Sequence, residues 1–543
     1  MEDINVHSES RDRKLILLAA AFASVAAFIY YYFRGEVLNY GDAVAHINIA
    51  RRVFDSRTPG LKQLGTVWLP LPHLLTIPFI APDFLWRTGI GGSIPSMVAY
   101  VLGVLGIFRL VRSGLAELPG ARVAAWVAAG IYGLNPNLLY MQATAMTESL
   151  SAALFIWAIV FMADFVRVLR AEGRASERSL ALCALMLSGL AATRYDGWFA
   201  IGAFGGGLFL FWLLARRSWQ PFGFGVVVRF ALLVAIVPAL WLGYNYKLFG
   251  NPLEFATGPY SARGIAERTT PKDAPPYPGK DSPKVAAQHF IKAAKLNLAG
   301  RDLTGEYHRY WRRTWQEDLW VVLALAGTLV AISNLPVLWP WLLLWIPVPF
   351  YALSIAYGGV PIFMPVWWPW SYYNVRYGLQ LLPAAAVFVA VVPVPAGWWP
   401  AVRRVAFILL VAFVAISYWG TWRSGPITRN EAYVNSRARN SLHEQLSGVL
   451  REIPDSATLL MYTGEHVGVL QRTGIPLERT INENNWGLWG DALRNPEGHV
   501  DYAVAFGNDA VAQSMYANPG FESIAHIEVE GQSPATVYRR RNR

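Results

Sequence analysis

Cysteine is nearly absent from this sequence. Only Cys183 is found among the 543 residues, so no disulfide can form within the chain. Cys183 lies in an apolar run, where a single cysteine packs as a small hydrophobic residue. The sequence therefore excludes a disulfide-stapled fold and gives no sign of paired redox cysteines.

Charge is also scarce. Charged residues make up 15% of the chain, whereas soluble domains carry about 25%. Hydrophobic residues reach 54% and the mean hydropathy is +0.30, which together predict a polytopic membrane protein instead of a large soluble enzyme. The formal net charge of +11 then indicates cytoplasmic loops, anionic lipids or a phosphorylated ligand, with no nucleic-acid partner.

Apolar runs predict an α-helical polytopic membrane protein with about eleven transmembrane helices. The first run, Leu15–Phe33, is interpreted as an uncleaved helix because it is long enough to span and many runs follow it. The other predicted spans are Pro95–Leu110, Val123–Tyr140, Leu150–Val166, Leu180–Ala192, Trp198–Ala215, Phe230–Tyr246, Leu319–Ile332, Pro336–Tyr357, Tyr377–Pro393 and Val405–Trp419.

Arginine distribution predicts the topology. Arginines concentrate in alternate short loops, which is the pattern of cytoplasmic loops when the N-terminus is cytoplasmic. They are Arg109, Arg112, Arg122, Arg167, Arg170, Arg174, Arg178, Arg216, Arg217, Arg229, Arg403 and Arg404. We therefore expect a multi-pass protein of a bacterial cytoplasmic (inner) membrane, with the other loops and the C-terminus on the extracytoplasmic side.

The chain divides into two predicted domains. Residues 1–420 form the transmembrane domain, with a first external loop at 34–94 that includes amphipathic helices and a long external loop at 247–318. Beyond that, hydrophobic runs shorten to strand length, and residues 421–543 are predicted to form a small extracytoplasmic α/β domain. The predicted strands are Ala457–Tyr462, Tyr502–Phe506, Ile524–Val529 and Ala535–Tyr538.

Asp42 is the most distinctive residue of the first external loop. It lies within a few residues of the predicted membrane surface, where a carboxylate is costly and often functional. Asp42 could act as a general base, or it could simply cap the following helix. His46 follows four residues later and would share one helical face, so the pair could also supply two ligands of a divalent metal. A metal site needs three or four ligands, so metal is the weaker hypothesis and no cofactor is certain.

Further charged residues fall on the same predicted side of the membrane. Glu148 begins a predicted span, where it could be a second functional acid or a simple helix-start residue. Arg194 and Asp196 could form a structural ion pair or contribute to a site. Arg376 stands at the mouth of an apolar helix, where it could snorkel to the interface or bind a lipid phosphate.

At this point the chain resembles the GT-C class of membrane glycosyltransferases, and within it the dolichyl-phosphate-mannose–protein mannosyltransferase and aminoarabinose transferase group. The resemblance spans roughly residues 15–419. It is carried by Gly41-Asp42, the Gly65–Pro72 loop, Thr147-Glu148, Arg376-Tyr377 and Pro383. The sequence departs from protein mannosyltransferases at Asp42-Ala43, where those enzymes usually show Asp-Glu, and this departure leaves the acceptor class open.

The resemblance implies a glycosyltransferase that moves a sugar, with inversion, from a polyprenyl-phosphate donor to a protein, lipid or glycan acceptor. It implies Asp42 as base and Glu148 as a second acid. We expect four residues to bind the donor phosphate or lipid, and three to line the substrate cavity. These are Arg376, Arg194, Tyr377 and His46 for the donor, and Trp68, Asp196 and Tyr373 for the cavity. A transporter or flippase of a lipid-linked sugar is the competing hypothesis, followed by a non-catalytic membrane scaffold.

Overall fold

The computed structural model describes residues 2–215, 222–269, 273–299, 315–364, 371–395 and 397–541. Within these ranges the chain forms twenty-three α-helices. They are α1 Glu2–Phe33, α2 Gly41–Arg52, α3 Leu71–Ile80, α4 Asp83–Thr88, α5 Ile90–Gly114, α6 Ala121–Gly133, α7 Pro136–Met141, α8 Glu148–Glu172, α9 Glu177–Ala191, α10 Asp196–Ala215, α11 Phe224–Phe249, α12 Glu254–Thr257, α13 Ala262–Thr269, α14 Pro283–Ala299, α15 Trp315–Ser333, α16 Leu335–Leu342, α17 Pro347–Tyr357, α18 Leu382–Val391, α19 Pro400–Ser424, α20 Ile427–Leu450, α21 Val467–Thr473, α22 Leu488–Arg494 and α23 Ala510–Met515.

The predicted class, a polytopic α-helical membrane protein, is confirmed. Among the described residues, eight helical segments are long and apolar enough to cross a membrane: α1, α5, α8, α10, α11, α15, the α16–α17 pair and the segment that begins with α19. The other three predicted spans coincide with shorter helices, α6, α9 and α18. Residues 300–314 of the predicted long external loop lie outside the described ranges.

The predicted span Val123–Tyr140 is wrong as a single helix, because α6 ends at Gly133 and α7 begins at Pro136. The Asn135 side chain accepts hydrogen bonds from the backbone N–H groups of Asn137 and Leu138 and so caps a new helix. Proline fits the first position of that helix but would break the interior of a continuous one.

Three ion pairs tie helix ends together on the arginine-rich side of the bundle. Arg122 at the start of α6 binds Asp12 in α1 at 2.7 Å, and Arg229 near the start of α11 binds Glu177 at the start of α9 at 2.7 Å. Arg109 of α5 binds an aspartate of α8 at 2.5 Å. These loops therefore share one end of the bundle, and the residues of the first external loop lie at the other.

The C-terminal region contains a five-stranded mixed sheet with the strand order β2-β1-β3-β5-β4. The strands are β1 Leu459–Met461, β2 Thr480–Ile481, β3 Tyr502–Phe506, β4 Phe521–Ile527 and β5 Ala535–Arg540. β1 pairs in parallel with β2 and β3, and β5 is antiparallel to β3 and β4. Four strands match the predicted runs within a few residues, and the two-residue strand β2 was not predicted.

One hydrophobic core joins this sheet to the first external loop. Ile47 of α2 and Trp86 of α4 are fully buried in the same cluster as Leu442 and Leu446 of α20 and Val504 of β3. The first external loop is therefore packed against the C-terminal domain. Its helix α2, which carries Asp42, is packed between the membrane helices and the sheet.

Candidate functional site

Asp42 lies in the first turn of α2, a helix whose other face is buried through Ala43, Ile47 and Ala50. Tyr40 is the N-cap residue, so the alternative in which Asp42 caps the helix is not seen. An acid in a first turn is still favoured by the helix dipole. The Asp42 side chain is 41% exposed, so one face of its carboxylate is open to a ligand.

Arg376 is the centre of the site. Its guanidinium donates to Asp42 Oδ2 at 2.6 Å and to Glu431 Oε1 at 2.8 Å, and its Nε lies 3.3 Å from Glu148 Oε1. The Arg376 side chain is only 9% exposed. A buried guanidinium is stable only when carboxylates and hydrogen bonds surround it, and three acids from three distant parts of the chain do so here.

Glu431 was not predicted as a site residue. Besides the Arg376 side chain, its carboxylate accepts from the backbone N–H groups of Asn374 at 3.0 Å and Arg376 at 3.2 Å. Asn374 has a left-handed backbone (φ 57°), which is unusual outside glycine. Glu431 therefore holds the turn that presents Arg376. The sequence offered one sign of this role: Glu431 follows the apolar Ile427 by four residues, a spacing that puts both on one face of a helix. The structure shows that this face of α20 is buried.

We expect Glu431→Ala to destabilise the protein. The change leaves a buried guanidinium and two backbone N–H groups without an acceptor, a loss of about 3–5 kcal/mol for a broken buried ion pair. Thermal unfolding in detergent measures the change. Asp455→Ala is the control, because the Asp455 side chain is fully exposed beside Arg479 and its removal should cost little. Equal melting temperatures for the two variants would contradict this role of Glu431.

Arg194 forms a second centre next to the first. Its guanidinium contacts Glu148 Oε1 at 3.4 Å and Asp196 Oδ2 at 3.2 Å, and it donates to the Tyr351 hydroxyl at 2.9 Å. Glu148 therefore lies between Arg194 and Arg376 and is itself 2% exposed. Tyr351 was not predicted, because a single tyrosine inside an apolar span carries no sequence signal of this contact.

Tyr377 lies next to both arginines. The guanidinium carbons of Arg194 and Arg376 lie 5.1 Å and 5.2 Å from the centre of its ring, within the range of cation–π attraction. Tyr373 lies beside this group, 48% exposed, and its backbone pairs with Phe363 through two hydrogen bonds of 2.9 and 3.0 Å. The predicted residues Arg194, Arg376 and Tyr377 are thus in contact.

Formal charges within this cluster do not cancel. Two guanidinium groups face the four carboxylates of Asp42, Glu148, Asp196 and Glu431, which leaves a formal charge of −2. Glu148 Oε2 and Asp196 Oδ1 are buried and have no hydrogen-bond partner among the described residues. Buried acceptors are normally paired, so these two oxygens are suited to receive hydroxyl groups of a polar ligand.

His46 and Trp68 form a separate contact on the inner side of α2. His46 Nδ1 lies 2.9 Å from His73 Nε2, and its ring centre lies 4.6 Å from that of Trp68. Burial lowers the pKa of His46 to about 4, so the ring is neutral at pH 7 and could meet a phosphate only as a hydrogen-bonding partner. Within the described ranges, no group of three or more His, Cys, Asp or Glu side chains is arranged to hold a metal ion.

The depressed pKa of His46 makes stability depend on pH. In the unfolded chain a histidine titrates near pH 6.5, so between pH 6.5 and 4 the unfolded state binds the additional proton. The contribution of His46 to the free energy of unfolding is fully present above pH 6.5 and is lost as the pH falls. At 1.36 kcal/mol per pH unit, the loss is about 2 kcal/mol at pH 5. We expect the drop in melting temperature from pH 7 to pH 5 to be smaller in His46→Gln than in wild type. Identical drops would show that His46 does not contribute.

Comparison with solved structures shows a similarity of fold. The fold is similar to the crystal structure of ArnT from Cupriavidus metallidurans bound to undecaprenyl phosphate, with a TM-score of 0.54. The match covers 95% of this chain and 97% of that chain at 12% sequence identity. The sequence matches no protein-family model and no curated protein. ArnT is an aminoarabinose transferase of the GT-C class, so the expected resemblance in fold is confirmed.

Proposed function

We propose that this integral membrane protein is a glycosyltransferase that moves one sugar from a polyprenyl-phosphate donor to an acceptor on the extracytoplasmic face, with inversion at the anomeric carbon. One observation carries the proposal. Asp42 is the most exposed carboxylate of the cluster, and it is hydrogen-bonded to the buried arginine that also contacts Glu148 and Glu431. A base open to an acceptor thus adjoins a fixed cation that can receive an anionic leaving group.

The two arginines are the proposed ligands of the donor phosphate. A guanidinium offers two parallel N–H groups to a phosphate and keeps its charge at every physiological pH. Binding of the phosphate would draw Arg376 away from Asp42 Oδ2, and its contact with Glu431 would remain. Arg194 lies at a similar distance from the Tyr377 ring and contacts the same Glu148 oxygen as Arg376. The fold similarity to a protein bound to undecaprenyl phosphate supports a donor of this type.

The proposed reaction is a single displacement. Asp42 accepts the proton of the acceptor O–H or N–H group while the acceptor lone pair forms a bond to the anomeric carbon. The bond from that carbon to the phosphate oxygen breaks, and its electron pair leaves with the polyprenyl phosphate, whose charge Arg376 stabilises. Attack opposite to the leaving group inverts the anomeric configuration.

The excess of carboxylates over guanidinium groups in the cluster suits this reaction. Glycosyl transfer passes through a sugar with oxocarbenium-like positive charge. Glu148 and Asp196, each with a buried unpaired oxygen, can accept sugar hydroxyls and favour that charge. Trp68 and Tyr373 are proposed to line the cavity beside it, and His46 to support it through its contact with Trp68.

Placement of the charges favours transfer over transport. Transporters bind their substrate near the middle of the bilayer, in broken helices. Here Asp42 and Glu431 lie in helices α2 and α20, which pack against the C-terminal sheet, and Glu148 and Asp196 each begin a membrane helix. These positions favour a cluster at one membrane surface. We propose that this is the extracytoplasmic surface of a bacterial cytoplasmic membrane, with the N-terminus in the cytoplasm.

The test is sugar transfer by purified protein. Several labelled undecaprenyl-phosphate sugars are offered with a membrane extract as acceptor, with and without a chelator of divalent cations. We expect one donor to release undecaprenyl phosphate and to yield a product whose anomeric configuration, read by NMR, is opposite to that of the donor. Retained configuration would refute direct displacement, and loss of transfer with chelator alone would give Asp42 and His46 a metal-binding role.

A further inference from the structure

Helix α20 contacts the segment that leads from α1 into α2. The Arg439 guanidinium donates to the backbone oxygen of Asn39 at 2.7 Å, and the side-chain amide of Asn440 donates to the side-chain oxygen of Asn39 at 3.2 Å. Two neighbouring residues of α20 therefore hold both the main chain and the side chain of Asn39. Asn39 is buried and lies three residues before Asp42. The segment ahead of the proposed base is thus fixed by the helix that leads into the C-terminal sheet.

Arg439 also packs against Gly41, the first residue of α2. A β-carbon added to Gly41 would lie 2.6 Å from Nη1 of Arg439, so the guanidinium occupies the space that a side chain at this position would need. Gly41 is the immediate neighbour of Asp42. Arg439 therefore touches the chain at two points on the N-terminal side of Asp42.

The same helix holds the other half of the proposed catalytic pair. Glu431 of α20 accepts hydrogen bonds from the guanidinium and the backbone N–H of Arg376. The side-chain amide of Asn435 donates to the backbone oxygen of Tyr372 at 3.0 Å. Positions 431, 435 and 439 follow at intervals of four residues, so they share one face of α20. One face of a single helix thus contacts both the turn that presents Arg376 and the segment that precedes Asp42.

We propose that Arg439 is a positioning residue for Asp42, a role that rests on the proposed function. In the structure the Asp42 carboxylate is paired with Arg376, but the donor phosphate is proposed to draw Arg376 away. The position of the carboxylate then depends on the backbone of the first turn of α2, and Arg439 holds the chain that enters this turn. Misplacement of a reacting group by about 1 Å can cost about 10²-fold in rate.

The first measurement is sugar transfer and donor binding by Arg439→Met, with the full chain in detergent. Methionine keeps an unbranched side chain but has no N–H donor. We expect turnover to fall at least tenfold and affinity for undecaprenyl phosphate to stay within about twofold of wild type. Arg437→Met is the control, because Arg437 is exposed on the same helix and lies 5.8 Å from the ring centre of Tyr433 in that helix. It should turn over at the wild-type rate. Wild-type turnover by Arg439→Met, or an equal loss of turnover and donor affinity, would overturn the proposal.

A double-mutant cycle tests whether Arg439 acts through Asp42. In the Asp42→Asn variant no base remains to be positioned, so the added change Arg439→Met should lower the residual rate less than twofold. A general loss of structure would instead lower the rate by the same factor in both backgrounds. Equal factors would therefore refute the role.

Hydrogen exchange of the same variants gives a measurement that needs no turnover. The amides of residues 44–47 close the first turn of α2, and Arg439→Met should speed their exchange at least tenfold. Exchange at residues 374–376, which Glu431 holds, should stay unchanged. Unchanged exchange in α2, or an equal gain in both segments, would overturn the contact. If wild type transfers no sugar while the exchange result holds, the proposed function fails and the contact stands. If wild type transfers sugar and the cycle gives equal factors, the role of Arg439 alone fails.

Discussion

Replacement of Asp42 by asparagine should reduce sugar transfer at least a thousandfold and leave donor binding within about twofold of wild type. Asparagine keeps the size of the side chain but cannot take the acceptor proton, and general base catalysis contributes roughly 10²–10⁴ in rate. Arg376 keeps its contacts with Glu431 and Glu148 in this variant, so the proposed phosphate ligand stays in place. Initial rates of product formation and titration with undecaprenyl phosphate measure the two effects.

Asp83→Asn is the matched control for this variant. Asp83 is also an exposed acid in the first turn of a helix of the external loop, and it also pairs with an arginine, Arg51. We expect this control to transfer sugar at the wild-type rate. An Asp42→Asn variant that retains a tenth or more of the wild-type rate would remove Asp42 as the base.

Substitution of Arg376 by lysine should lower the turnover rate about 10²–10³-fold, the range found when one group that stabilises a developing anion is removed. Lysine keeps the positive charge but not the planar fork that contacts Asp42, Glu431 and Glu148 together. The phosphate would lose one of its two hydrogen bonds as it leaves. Donor affinity should fall as well, by a smaller factor, because the charge is kept.

The same change at Arg122 serves as the comparison for Arg376→Lys. Arg122 binds Asp12 at the opposite end of the bundle, where lysine can preserve a single ion pair. Its variant should retain wild-type turnover. If the Arg376→Lys variant also turned over at the wild-type rate, with an unchanged melting temperature, Arg376 would have a structural role only.

Much of the site was predictable because topology alone assigns its residues to one membrane surface. Asp42, Glu148, Arg194, Asp196 and Arg376 all follow or precede apolar runs on the side that lacks the arginine-rich loops. The structure brings them together through contacts of 2.6–3.4 Å. Their pairing was not predictable, because Asp42 and Arg376 are 334 positions apart and nothing local specifies that contact.

Residues that escaped prediction share a physical reason. Glu431 lies in a polar helix directly after the last apolar run, and only the packing of α20 against the turn at Asn374 turns this acid into a partner of Arg376. Tyr351 is a lone hydroxyl in an apolar span. The strand β2 has two residues, too few for an alternating pattern. In each case the decisive contact is long-range.

The most direct test of the central claim is the fate of a donor in proteoliposomes. Labelled undecaprenyl-phosphate sugar is placed in one leaflet with wild-type protein and acceptor extract, and cleavage of the sugar–phosphate bond and movement of the intact donor between leaflets are followed in the same sample. Sugar transfer to the acceptor without movement of intact donor is the expected result. Movement of intact donor with no cleavage, for every donor that binds, would contradict a transferase and establish a flippase.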